Sequence, residues 1–154
     1  MIQLAKADGL TVIADSSETD RALLKSLGVD VIIERGEGFA EKIRSEFPKG
    51  VDGLADGALL NEHAIDAVRD GGAFTAIRGF RGEEQRGIRF TTTWVTRYDC
   101  EYEKLDLLRQ QVESGDLTLR VADTVPPESA NVAHEKLEAG GTRGRMVIEF
   151  HKDD

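Results

Sequence analysis

Short apolar runs alternate with amphipathic stretches along most of this chain. Met1 to Ala7 reads as the tail of a helix, and Leu10 to Asp15 as a strand with Val12-Ile13-Ala14 at its core. Ser17 to Leu27 is predicted as a helix, because Ala22, Leu23, Leu24 and Leu27 fall on one face and Gly28 stops it. Val29 to Ile33 is the next strand. Phe39, Ile43 and Phe47 recur every fourth residue, which predicts a helix ended by Pro48. Val51 to Ala55 is a strand, Leu59 to Val68 a helix closed by Gly71-Gly72, and Ala73 to Ile77 a strand. Gly79 to Gly87 is a polar loop, Ile88 to Val95 is rich in β-formers, and Tyr102 to Val112 is a helix stopped by Gly115.

Strand and helix thus alternate at βαβ spacing, which predicts an α/β fold with a parallel sheet covered by helices on both faces. The pattern changes near residue 117. Leu117 to Val125 is extended, Pro126-Pro127 opens a helix running to about Leu137, and Met146 to Phe150 is a last strand after the Gly140-Gly141 and Gly144 turns. We therefore expect a main unit over 1–116 and a strand-helix-strand appendage over 117–154.

Composition narrows the possible partners. The formal net charge is −9, which disfavours nucleic acid and anionic membranes, since phosphate backbones call for a basic surface. A small phosphate held by backbone N–H groups is still compatible with it. The single cysteine, Cys100, excludes an internal disulfide and a thiolate-rich zinc site, and fits a reducing, cytoplasmic setting. Asp99 and Glu101 flank it and disfavour its thiolate. No apolar run approaches the roughly 18 residues of a membrane span, and no secretory signal is expected.

A strand that ends in an acid directly after a helix matches the second half of a βαβ dinucleotide-binding unit. Asp15 is that acid, and its carboxylate would accept hydrogen bonds from adenosine ribose hydroxyls. The alternative is that Asp15, Ser16 and Ser17 cap the following helix. Gly36-Glu37-Gly38 also follows a strand and precedes a helix, but Glu41 stands at the third glycine position and Glu34 and Glu37 would repel a pyrophosphate. It is expected to be an ordinary loop. His63, His134 and His151 are scattered; His134 and Glu138 lie one helical turn apart without a third ligand, so no metal site is expected.

Several segments together resemble the cofactor-binding half of the medium-chain dehydrogenases/reductases, the family of quinone oxidoreductases and zinc-type alcohol dehydrogenases. They are Ile2 to Ala7, Val12-Ile13-Ala14, Leu27 to Asp30, Gly50 to Gly53, Asp70-Gly71-Gly72, and Ala133-His134 through Gly140 to Val147. Their order and spacing carry the resemblance, and the closest likeness is to the zinc-free quinone-oxidoreductase branch. It implies a Rossmann-type domain that binds NAD(P), followed by a segment returning to a GroES-like catalytic domain. It also implies a strand and glycine-rich loop ahead of Ile2, in the middle of a sheet ordered 3-2-1-4-5-6. Without that strand the sheet is expected to re-pair or to assemble with another chain.

By the same resemblance Gly57 and Ala58 would lie beside the nicotinamide ribose. Ile77, Arg78 and Gly79 would lie over the cofactor, with the Arg78 guanidinium suited to a phosphate. Arg143, in an Arg-Gly-Arg turn, would approach the cofactor too. The Phe90 to Val95 stretch, with Trp94, would be core packing or a sheet edge used between subunits. Relatives that use NADPH often have a small residue at the Asp15 position and a lysine five residues later. Asp15 and Asp20 lean instead towards NAD(H), although Arg21 would meet a 2′-phosphate if it points inward. The implied activity is hydride transfer from NAD(P)H to quinones, enones or related carbonyls. The alternatives are a non-catalytic association module, as a homo-oligomer or as the partner of a catalytic domain, and a truncated fragment with no activity of its own.

Overall fold

The computed structural model describes residues 1–98 and 100–150. The chain divides into two compact units, Met1–Leu105 and Asp106–Asp154. Asp99 and His151 lie outside the described residues.

In the first unit, helix α1 (Ile2–Ala7) leads to strand β1 (Ile13–Ser16), which pairs in parallel with β2 (Val31–Glu34). The register sets Asp15 opposite Ile33 and Ser16 opposite Glu34. Between them the expected helix from Ser17 to Leu27 is interrupted: Glu18–Asp20 is a 3-10 turn, and α2 covers only Arg21–Ser26. Helix α3 (Phe39–Glu46) follows β2, as the four-residue spacing of its aromatic and aliphatic positions predicts.

Strands β3 (Val51–Asp56), β4 (Val68–Ala76) and β5 (Arg89–Thr92) form a second parallel sheet in that order. The expected helix from Leu59 to Val68 is much shorter here: α4 spans Glu62–Ile65, and Val68 already pairs with Val51. Ala64, Ile65, Ala67 and Val68 are all buried. One helix face cannot hold that run, so the chain leaves the helix and enters the sheet. Gly71-Gly72 consequently lies inside β4, where the register slips between Val51 and Gly53, and is not a helix stop.

The core explains how the two sheets share one unit. One cluster gathers Ala64, Ile65, Val68, Phe74, Ala76 and Ile88, with Phe80 and Phe90 packed edgewise and tilted against Phe74 at 5.8 and 5.7 Å between centroids. The other gathers Ile33, Ala40, Ile43 and Ala67, with Ile13 and Val31 from the first sheet and Val51 and Leu54 from the second. Phe39 and Leu54 belong to the margins of both clusters. Helix α3 therefore bridges the sheets. The expected re-pairing within the chain does not occur, since among the described residues β1 pairs only with β2 and β3 only with β4.

In the second unit, β6 (Val121–Val125) pairs in parallel with β7 (Arg145–Ile148), and α6 (Ala130–Glu138) connects them after a 3-10 turn at Pro127–Ser129. Helix α5 (Tyr102–Glu113) contains the boundary between the units and buries none of its residues. The mixed fold, with parallel strands and connecting helices, is the α/β class expected from the pattern. None of the helices among the described residues is long and apolar enough to cross a membrane.

Candidate functional site

In open parallel sheets, ligands bind beyond the carboxyl ends of the strands, because loops there converge and leave a crevice. Most of the sequence-predicted residues lie at such ends. Asp15 is the penultimate residue of β1, and its Oδ2 accepts a bond from Arg35 Nε at 2.6 Å. The Arg35 N–H donates to Ser16 O at 2.9 Å, so the β1–β2 ladder itself holds the pair together. Sequence reading missed Arg35, which lies 20 residues from Asp15.

The helix-cap alternative for this turn is not realised, as no side chain caps either helical segment that follows. Ser16 is buried, and its hydroxyl donates to Ser17 O at 2.6 Å. The Ser17 hydroxyl bonds with Thr19 at 2.9 Å and donates to Asp20 Oδ2 at 3.0 Å. Arg21 turns to Glu18, 3.4 Å away.

The second sheet presents a more ordered edge. Asp56 ends β3 and is only 5% exposed. Its carboxylate accepts the backbone N–H of Ala58 at 2.9 Å and of Asn61 at 2.7 Å. Those bonds hold Leu59 and Asn61 at φ of 62° and 51°, a region that side chains disfavour. Asn61 Oδ1 is buried without a partner. Gly57 and Ala58 are thus fixed at the strand end by Asp56, which sequence reading did not single out. The available signal was the repeat of the Asp15 situation, an acid closing a strand. Ile77 N–H donates to Asp56 O at 3.0 Å and Thr93 N–H to Ala76 O at 3.0 Å. These bonds set Ile77, Arg78 and Gly79 between the loop after β3 and Trp94 after β5. Ile77 and Arg78 are exposed.

The remaining candidates do not join this edge. Arg143 belongs to the second unit, where its Nη1 donates to Gly141 O at 3.1 Å. There it lines an open cavity of about 330 Å³ together with Arg120, Asp123 and Lys136. Lys136 donates to Asp123 at 2.7 Å and holds that carboxyl below its usual range. The Gly36 to Gly38 stretch is a loop, with Gly38 at φ 69° opening α3. His63, His134 and Cys100 are exposed, and among the described residues no three His, Cys, Asp or Glu side chains gather to hold a metal ion.

Residues 9–148 match the family model described as zinc-binding dehydrogenase. The chain is 31% identical over 153 residues to a 2-methylene-furan-3-one reductase from Solanum lycopersicum, covering 96% of this chain and 36% of that protein. The structure of a 2-haloacrylate reductase superposes with a TM-score of 0.83 at 26% identity, over 99% of this chain and 53% of that one. The structure of an NAD-dependent alcohol dehydrogenase superposes at 0.77 with 26% identity, over 97% and 47%. The chain therefore spans about a third of the curated relative and about half of each solved structure. The described residues do not fit the zinc of the family description, for want of a converging donor set.

Proposed function

The chain belongs to the zinc-binding dehydrogenase family, within the medium-chain dehydrogenases/reductases. On that premise we propose that it is the cofactor-binding portion of an NAD(P)H-dependent oxidoreductase acting on quinones, enones or related carbonyls. The observation that carries this reading is the edge of β3 and β4, where Asp56 locks a strained loop beside Ile77 to Gly79. The names of the relatives, two reductases and an alcohol dehydrogenase, support the same chemistry.

The bound dinucleotide supplies the hydride, and the protein binds, orients and excludes water. Asp15 accepts the adenosine ribose hydroxyls, and its charge repels a 2′-phosphate, which leans the site towards NAD(H). Arg35 tempers that preference by covering part of the Asp15 carboxylate. Gly57 and Ala58 let backbone approach the nicotinamide ribose, and Arg78 offers its guanidinium to a phosphate. Zinc is not assigned to these residues, and a cytoplasmic setting accompanies this reading.

Calorimetric titration with NADH and with NADPH tests it. Saturable binding of either, with NADH the tighter, is the expected result. Absence of heat with both, up to cofactor on the order of a millimolar, would overturn it.

One observation favours a second reading, a non-catalytic association module. Helix α5 buries none of its residues and leaves Tyr102, Leu105, Leu107 and Leu108 exposed. Sedimentation that shifts with concentration while neither cofactor binds would select that reading.

A further inference from the structure

Trp94 is used by neither part of the core. It appears in neither buried cluster, and 45% of it is exposed. Its backbone is nonetheless fixed. Thr93 N–H extends the β4–β5 ladder by one bond to Ala76 O, and Arg97 N–H donates to Trp94 O at 3.0 Å, opening the 3-10 turn Val95–Arg97. The indole lies against Gly79, which has φ 89°. A Cβ on Gly79 would meet Trp94 Cη2 at 3.7 Å and Cζ2 at 3.8 Å. A side chain at position 79 would therefore begin in contact with the benzene edge of the indole. Glycine places no side chain of its own against that edge, and 45% of Trp94 is exposed. Ile77, two residues before Gly79, is also exposed, at 39%, and its Cδ1 lies 3.7 Å from the point where a Gly57 Cβ would be.

The result is an apolar shelf, built on two glycines and ending in a half-exposed indole, at the carboxyl edge of parallel strands. Isolated exposed aliphatics need no explanation, but a fixed aromatic at the ligand edge of a sheet does. An indole face is electron-rich and attracts flat, electron-poor or cationic rings. The oxidised nicotinamide ring is flat and cationic.

We propose that Trp94 is the stacking residue for the nicotinamide ring and that it favours the oxidised ring over the reduced one. This rests on the dinucleotide reading given under Proposed function. Trp94 acts as a positioning residue: it holds one face of the ring against the shelf and leaves the other face for the hydride acceptor.

The chain has one tryptophan, so its emission reports this position alone. The intact chain is titrated with NAD+, NADH and ADP-ribose, which lacks nicotinamide, each followed by fluorescence and by calorimetry. We expect NAD+ to quench emission and ADP-ribose to bind without quenching. Trp94→Ala should weaken NAD+ about tenfold and leave ADP-ribose unchanged, as removal of one stacked ring predicts. Trp94→Phe, which keeps a ring, should restore most of the NAD+ affinity. Thermal melts of both variants check that the fold is retained.

Equal quenching by NAD+ and ADP-ribose, or unchanged NAD+ affinity in Trp94→Ala, overturns the stacking role while the dinucleotide reading stands. Absence of heat with all three ligands overturns that reading and the stacking role with it.

Discussion

At the scale of single residues, two positions decide more than their neighbours. Gly50 turns the chain into β3 at φ 81°, and an added Cβ would lie 2.7 Å from Ala67 O and 2.8 Å from Arg69 N, both backbone atoms. Arg44 wraps the same corner, donating to the carbonyls of Asp66, Pro48 and Val68. Gly50→Ala should therefore cost more than about 1 kcal/mol, read as a lower midpoint in urea. An unchanged midpoint would mean that the corner relaxes without loss. Arg35 is the second position. It neutralises part of Asp15, so Arg35→Ala should raise the preference for NADH over NADPH by roughly tenfold, about 1.4 kcal/mol. Calorimetric dissociation constants for the two cofactors measure this, and a ratio that stays fixed sinks the role of the pair. Asp15 was legible as an acid closing a strand. Its partner was not, because the parallel register that brings Arg35 beside it is decided by pairing between strands and not by local pattern.

At the scale of elements, legibility followed locality. Helix α3 was readable because its repeat of Phe39, Ile43 and Phe47 and its stop at Pro48 are contained in one stretch. Helix α4 was not, because its start is imposed by the Asp56 carboxylate on Asn61, and its end by burial of Ala67 and Val68. The attachment of α1 was equally hidden. Lys6 Nζ donates to both Asp30 oxygens, at 2.9 and 2.8 Å, and Val12 N–H donates to Asp30 at 2.7 Å. The Lys6 bond, then the Val12 bond, holds the Asp30 carboxyl below its ordinary value. A lowered folded-state value contributes stability above the ordinary carboxylate value of about 3.9 and loses it as pH falls through the folded value. Asp30→Asn should thus destabilise the chain at pH 7 and remove part of the stability that is lost as pH falls below about 3.9. Sensitivity from Asp106 and Asp123, both also lowered by their cationic partners, should remain. Melts of wild type and Asp30→Asn across that range measure the difference. Parallel curves would show that Asp30 does not couple α1 to the sheet.

At the scale of the whole molecule, the question is what the two separate parallel sheets of the first unit, bridged by α3, imply. Val12, just before β1, and Ser16, at its end, face β2, since their carbonyls accept from Val31 and Arg35. By the two-residue alternation of a strand, the N–H groups of Ile13 and Asp15 point the other way, to the free edge. In β3, the Asp56 carbonyl accepts from Ile77, the residue just after β4, so the N–H groups of Gly53 and Ala55 likewise point to a free edge. Gly53 and Ala55 are exposed, whereas Phe74, paired on both sides in β4, is wholly buried. Unpaired strand edges recruit partners, so the state of these four amides reports whether anything covers them. For the dilute chain we expect Ile13, Asp15, Gly53 and Ala55 to exchange with solvent much faster than Phe74, measured by hydrogen exchange with NMR detection. Protection of all four that grows with protein concentration would mean that a second copy supplies the missing pairing. Protection equal to that of Phe74 at every concentration would contradict the separation of the two sheets, and with it the bridging role assigned to α3.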